Sequence, residues 1–504
     1  MKEGYRVCPS FFGKADMITV LIDTASKVPI YEQIYIYIRE EIRNGNIVCG
    51  TKLPSSRGLA NYLEVSRNTI DMAYGQLQSE GYIESFPKKG YFVCALENLY
   101  DDGRSAMDNK GHLKESPIQR SSHDKTREKD EFLVDFSLSG VDMDYFPYSK
   151  WRKLTKECLI DDNKELFLSG EHQGDLKLRQ AVQMYLHQAR GVKCNVDQIV
   201  IGAGSDYMLL LLSRIMEGQK TVAMENPTYK QAYTIFESVG YSVVPISMDE
   251  QGMQIDELRK SQAQIAYVTP SHQFPLGTIM SANRKRQLLA WASGEEGRYI
   301  IEDDYDSEFR YSGKPIPALQ SQDPFEKVIY VGTLSKVIAP AIRLSYMVLP
   351  QSLLQAYYEH AEFYFSTVSR IDQQVIGQFF LEGHFERHLN RMRKVYRMKH
   401  DCLVQELKNA GFGAQIEGES AGLHLLLGFG TRRPDAGDVE RRLVKAAAGQ
   451  QVKVYALGEY YITEEERVPT ILLGFARLKE KEIIDGVARL TEAWKEQEGL
   501  ICTE

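Results

Sequence analysis

Lys336 stands in the string GTLSKVIAPAIRLSY (332–346), between Thr333 and Ser335 and seven residues before Arg343. A short apolar run, Val328 to Val331, precedes it as a strand would. A lysine leaving a strand end among hydroxyls and an arginine can form an imine with an aldehyde whose phosphate those neighbours hold. That is the chemistry of pyridoxal 5'-phosphate (PLP), which also needs an acidic partner for its pyridine nitrogen. Most lysines are solvated surface charges, so Lys336 takes on this meaning only from the rest of the chain.

The string RYIIEDDYDSEFRY offers the acid. Its apolar run, Tyr299 to Ile301, ends in Glu302, Asp303, Asp304 and Tyr305. A carboxylate there could hold a pyridinium proton and a tyrosine hydroxyl could reach a ring oxygen, while a metal-binding loop or simply solvated acids is the competing reading. Roughly thirty residues separate Asp303 from Lys336, the length of a strand, a connection and a next strand at one sheet edge. QIVIGAGSDYMLLLLSRIM reads as strand, glycine turn and helix, with Gly204 and Ser205 offering N–H groups and a hydroxyl to a phosphate. In TVAMENPTYKQAY a proline turn presents Tyr229, either packed on the sheet or stacked on a flat ring. AQIAYVTPSHQFPLG ends in a loop expected to expose Ser271, His272 and Gln273, and a lone loop histidine is a weak candidate for acid–base work.

Positioning these groups requires an α/β domain. From Phe132 onward apolar strands alternate with helical patterns, which predicts a mainly parallel sheet. The 504 residues exceed what one core supports, so two or more domains are expected. An apolar share of 43% and a charged share of 26% belong to a soluble globular protein. The net charge of -8 means that any nucleic-acid contact must come from a local patch. Seven scattered cysteines without CxxC pairs read as reduced thiols and give no zinc site. The most apolar run, Tyr207 to Met216, is too short to span a bilayer. Residues 1–16 lack the apolar core of a signal peptide, Met17 serves equally well as a start, and a cytoplasmic location is expected.

The head of the chain reads differently. PIYEQIYIYIREEIRNG places Ile30, Ile34, Ile38 and Ile42 four apart, a helical stripe closed by Gly45. Ser55 then caps a short helix, a turn at Glu64 and Val65 follows, and Ser66 caps a second helix through Leu77. Two helices joined by such a turn make a helix-turn-helix, and YIES and GYFV around PKKG make a hairpin wing. Capped at Ser66, the second helix carries Arg67, Asn68 and Thr69 in its first turn, where base edges are met in a major groove. Ser55, Ser56 and Arg57 suit phosphates, and Lys88 and Lys89 at the wing tip reach a neighbouring backbone. Between Met17 and Cys94 eight basic residues balance eight acidic ones, so a protein-contact module is the competing reading. The boundaries expected are 17–95 for the winged head, 96–131 for a polar flexible linker and 132–495 for the α/β domain.

The string LPSSRGLANYLEVSRNTIDMAYGQLQSEGYIESFPKKGYFV closely resembles the winged helix-turn-helix of GntR-type bacterial transcription regulators. GAGSDYML, ENPTY, TPSHQFPLG, EDDYDSEF and GTLSKVIAPAIRLSY, in that order, resemble a class I aminotransferase of fold type I. The whole chain resembles the MocR (GabR-like) regulators, which fuse the two parts. That resemblance implies a large PLP-dependent domain with a smaller α+β C-terminal subdomain, and a homodimer. It implies that Lys336 forms the internal aldimine, Asp303 pairs with the pyridine nitrogen and Tyr305 reaches the ring oxygen. It further implies that Tyr229 stacks on the ring, and that Gly204, Ser205, Thr333, Ser335 and Arg343 hold the phosphate.

Three departures bear on function. Where aminotransferases read NPTG, with an asparagine at the ring oxygen, this chain reads FPLG, so Phe274 supplies no amide and His272 or Gln273 is the expected substitute. Where they carry an arginine that grips the substrate carboxylate, ILLGFARL puts Leu472, with Arg477 beyond. Before GDLKLR, where many relatives have a tyrosine that crosses a dimer interface, this chain has SGEHQ. The leading reading is a DNA-binding regulator that senses PLP, or an amine or amino acid through it. The alternatives are a PLP-dependent aminotransferase with an accessory DNA-binding head, and a PLP protein whose head binds other proteins.

Overall fold

The computed structural model describes residues 22–23, 26, 28–87, 89–94, 132–218, 220–311 and 316–495. The chain divides into two compact units, residues 1–126 and 127–504. The expected linker, 96–131, lies outside the described residues, as do Met17 and Lys88.

In the N-terminal unit the four-residue isoleucine spacing becomes helix α1 (Ile30–Arg43), whose buried face is Ile34, Tyr35, Ile38 and Ile42. Helices α2 (Ser56–Tyr62) and α3 (Arg67–Ser79) follow. Each starts where a serine oxygen accepts a backbone N–H: Ser55 from Gly58, Ser66 from Thr69. Strands β1 (Ile83–Phe86) and β2 (Gly90–Val93) pair antiparallel, Phe86 opposite Gly90. Leu59, Ile70, Tyr74, Leu77, Ile83 and Val93 join the α1 face in one core, and the Tyr74 hydroxyl donates to the Pro54 carbonyl at 3.0 Å.

The C-terminal unit opens on β3 (Val134–Asp135). Eight strands then build one sheet: β4 (Ile199–Gly202), β5 (Thr221–Asn226), β6 (Ser242–Asp249), β7 (Gly252–Met253), β8 (Ile265–Val268), β9 (Tyr299–Asp304), β10 (Val328–Thr333) and β11 (Ser345–Val348). Their order is β4-β11-β10-β9-β8-β5-β6-β7. The inner run from β10 to β6 is parallel, and its central strands are buried without alternation, as strands covered on both faces are. β11 pairs antiparallel with both β10 and β4.

A second sheet comprises β12 (Gln415–Glu417), β13 (His424–Gly428), β15 (Tyr455–Ala456) and β16 (Thr470–Gly474), while β14 (Val452–Lys453) pairs with β3. The helix His384–Ala410 packs against the C-terminal helix Glu480–Lys495 beside this sheet. The fold is thus a large α/β body with a smaller α+β portion after it, the architecture expected from the sequence. Among the described residues no helix is long and apolar enough to cross a membrane.

One expectation is overturned. The loop after β8 is not exposed: Ser271, His272 and Gln273 are 7%, 4% and 2% accessible. Its polar side chains find internal partners, so burial costs no unsatisfied hydrogen bonds. Gln273 donates to the carbonyls of Pro227 and Phe274, His272 meets Asp306, and Ser271 accepts from Arg190.

Candidate functional site

Parallel pairing sets Val331 opposite Asp303 and Gly332 opposite Asp304. Chain that leaves the C-terminal ends of β9 and β10 therefore meets at one sheet edge, where α/β sheets place ligands. Gly204, Ser205, Tyr229, Asp303, Tyr305, Thr333, Ser335, Lys336 and Arg343 all line one cavity of about 400 Å³ at this edge.

Lys336 sits three residues past the end of β10, its ammonium 4.6 Å from the Tyr305 ring centre and 5.8 Å from that of Phe274. Burial lowers its pKa from the ordinary lysine value, with Asp306 and Asp303 pulling the other way. A lysine shifted in that direction has more of its amine free to attack a carbonyl. Asp303 is buried at the end of β9 and accepts the Tyr267 hydroxyl. Desolvation lifts its carboxyl to about 6, the Tyr267 bond and Lys336 opposing. Tyr229 is pushed up to about 12 by burial, and its hydroxyl donates to Gln231.

Another part of the cavity wall joins a helix start to an arginine. The helix Ser205–Ile215 begins there without a side-chain cap, so its first N–H groups face the cavity's Gly204 and Ser205 edge. Arg343 reaches the same turn, with an ion pair to Asp206 at 2.9 Å. Gly204 is required: at φ +93 it is in a region side chains avoid, and a Cβ would lie 2.5 Å from an Arg343 guanidinium nitrogen. A buried acid, an amine, a phenol and an anion cradle around one space can take a planar, phosphorylated carbonyl compound.

Several wall residues escaped the sequence reading. Leu138, Tyr455 and Tyr460 line the cavity, and Leu472, wholly buried, clusters with Leu138 and Phe274. The aromatic string VYALGEYYI was a signal for the two tyrosines; nothing local pointed to Leu138. Tyr267 acts on Asp303 only because β8 and β9 pair, with Tyr267 opposite Ile301. Arg477 is exposed, away from the substitution at Leu472.

In the N-terminal unit Ser55, Arg57, Ser66, Arg67 and Asn68 are exposed around the starts of α2 and α3, and Thr69 is half-buried. Ser56 is 8% accessible, so its neighbours rather than its own hydroxyl form the exposed rim. Arg67 pairs with Asp71 at 3.4 Å across one helical turn, an exposed contact that a ligand can displace. Lys89 is exposed in the wing turn, its N–H donating to the Phe86 carbonyl.

Residues 30–93 match the family of bacterial regulatory proteins of the gntR type, and residues 136–470 match the aminotransferases of class I and II. The chain is 39% identical over 483 residues to an uncharacterised HTH-type transcriptional regulator, YdeL of Bacillus subtilis, covering 95% of this chain and 99% of that one. It is 30% identical over 482 residues to the probable rhizopine catabolism regulatory protein MocR of Rhizobium meliloti, covering 94% and 96%. The fold of the C-terminal unit is that of a multiple substrate aminotransferase from Thermococcus profundus, with a TM-score of 0.65 at 23% identity over 79% of this chain and all of that one.

Proposed function

The chain belongs to the MocR-like HTH-type transcriptional regulators, a GntR-family DNA-binding head joined to an aminotransferase class I and II domain, and we propose that it senses PLP held at Lys336. The observation that carries this reading is the gathering of Lys336, Asp303, Tyr305, Tyr229 and the Arg343 cradle on one cavity.

The donor set fits the group. Bound there, PLP would supply an aldehyde carbon and an electron-withdrawing ring. Lys336 is the amine that attaches it, and Asp303, raised but still ionised at neutral pH, holds the pyridine nitrogen's proton. The Tyr305 hydroxyl serves the ring oxygen and the Tyr229 ring covers a face. Ser205, Thr333, Ser335, Arg343 and the uncapped helix start hold the phosphate.

Sensing is favoured over turnover by the apolar cluster behind Phe274 and Leu138. Leu472 stands in the apolar cluster with Phe274 and Leu138, so the position that grips a carboxylate in aminotransferases has no charge here. A small amine or amino acid would compete with the Lys336 amine for the aldehyde carbon that PLP supplies, and regulation follows if that ligand binds two arrangements of the protein with unequal affinity. The protein works as a cytoplasmic homodimer on double-stranded operator DNA. Large exposed apolar residues, Phe167, Leu168, Phe363 and Phe365, support an association surface, and a two-fold dimer suits paired half-sites.

The test is the affinity of the purified protein for its own promoter fragment, measured with and without PLP and with a panel of amines. PLP or an amine should change that affinity at least about fivefold, a coupling of about 1 kcal/mol. In Lys336→Ala the change and the visible PLP band should disappear while DNA is still bound. Equal affinities under all conditions would refute sensing, and steady turnover of an amino acid with a 2-oxo acid would favour the enzyme.

A further inference from the structure

The Tyr305 hydroxyl oxygen lies 2.9 Å from His272 Nδ1. The same nitrogen lies 3.0 and 3.1 Å from the two carboxylate oxygens of Asp306. The His272 and Asp306 side chains are 4% and 1% exposed. Of the three residues, Tyr305 alone lines the cavity, and the histidine and the acid stand behind it.

This arrangement is built into the backbone. Gly422, just before β13, is at φ +85, and a Cβ there would lie 2.0 Å from His272 Cε1. The imidazole therefore rests against bare main chain. His424 of β13 comes next, its ring centre 5.7 Å away, and burial lowers its pKa to about 4, so it adds no charge at neutral pH. Arg310 borders the space behind the pair, and Arg190 binds the adjoining Ser271 and Asp304. From the cavity side Lys336 faces the Tyr305 ring, while Asp303, Asp304 and Glu225 add negative potential.

The tautomer follows from hydrogen-bond inventory. A carboxylate only accepts, so His272 Nδ1 carries a hydrogen, shared between the Asp306 carboxylate and the Tyr305 oxygen. A nitrogen that carries hydrogen cannot accept one from Tyr305, which leaves the phenol proton free to turn into the cavity. The neighbouring groups do not compete for that place: Phe274 has no polar side-chain atom, and the Gln273 amide donates to two backbone carbonyls and accepts the Leu276 N–H.

We propose that His272 and Asp306 are positioning residues that hold the Tyr305 hydroxyl with its proton facing the ring oxygen of PLP, the hydrogen bond for which Phe274 offers no amide. The proposal rests on the reading above that PLP occupies this cavity. His272 thus substitutes for the missing amide from behind, through Tyr305, and not by touching the ring.

A donor at the ring oxygen stabilises the oxygen's anionic form and so lowers the proton affinity of the nitrogen joined to Lys336. Removing the pair should raise that affinity. The experiment is a pH titration of the visible absorbance of the full-length, PLP-loaded protein. His272→Gln should move the midpoint upward by about one unit, the worth of a hydrogen bond to a charged group. Asp306→Asn, nearly isosteric, also removes an anion that favours the protonated nitrogen at Lys336, so it should move the midpoint up by less. Tyr305→Phe should shift it at least as far as His272→Gln, and Tyr305→Phe combined with His272→Gln should titrate like Tyr305→Phe alone. An unchanged midpoint in His272→Gln, or shifts that add in the double variant, would overturn the pair's role and leave the cofactor assignment standing. A wild-type protein with no Lys336-dependent band would overturn both.

Discussion

At Asp303 two effects oppose each other: burial lifts the carboxyl to about 6, while the Tyr267 hydroxyl and Lys336 favour the charged form. The balance leaves an anion at neutral pH that an arriving pyridinium can pair with. Glu225, on the next strand but one, has a carboxyl lifted further, to about 7, burial outweighing the hydrogen bonds from Thr269. Because this folded-state pKa lies above the ordinary 4.5, folding favours the protonated form. Its stabilising effect is full below pH 4.5 and is lost as pH rises through 7. Glu225→Gln should remove that slope. In chemical denaturation of the PLP-free protein it should gain about 2–3 kcal/mol over the wild type near pH 8 and match it near pH 4.5. A gap independent of pH would show that Glu225 does not titrate in this window. Lys336, Asp303 and Tyr305 each follow an apolar run, which marks a strand end but leaves Glu302 and Asp304 beside Asp303, and the resemblance to class I aminotransferases chose among them. Tyr267, Asp306 and Leu138 could not be read from the sequence, since their meaning comes from a neighbouring strand or loop distant in the chain.

For the elements, starts were easier to read than surroundings. Ser55 and Ser66 cap α2 and α3 as their spacing predicts, because an N-cap needs only a side-chain oxygen and the next few N–H groups. Ser66→Ala should cost about 1 kcal/mol and fray the turn that carries Arg67 and Asn68. DNA affinity should fall about fivefold with PLP binding untouched, and Ser66→Thr should restore it. Fluorescence anisotropy with labelled promoter DNA reads the first effect and absorbance titration the second; a PLP affinity that falls in parallel would mean global damage instead. The loop after β8 was misread for the opposite reason. Its composition, Ser-His-Gln between prolines, is that of a surface turn, and only partners from Arg190, Asp306 and the Pro227 carbonyl make its burial affordable.

Across the whole molecule, a net charge of -8 coexists with DNA binding, so the contact has to be local and electrostatic. Raising salt from about 50 to 200 mM should weaken binding at least tenfold, as release of counterions from a few phosphates requires. An affinity indifferent to salt would point the head at another kind of partner. Local order along the chain was enough to determine two domain types, the helix-turn-helix caps, the alternation of strand and helix and the lysine, acid and tyrosine at strand ends. Those features depend on residue spacing within one element, which is written in the sequence. Tertiary structure alone decided that His272 is buried behind Tyr305 against Gly422, that Asp303 is held by Tyr267 and that Leu472 packs with Phe274 and Leu138 of the cavity wall. Each is a contact between segments tens to hundreds of residues apart, set by strand order and by space that only the folded chain defines.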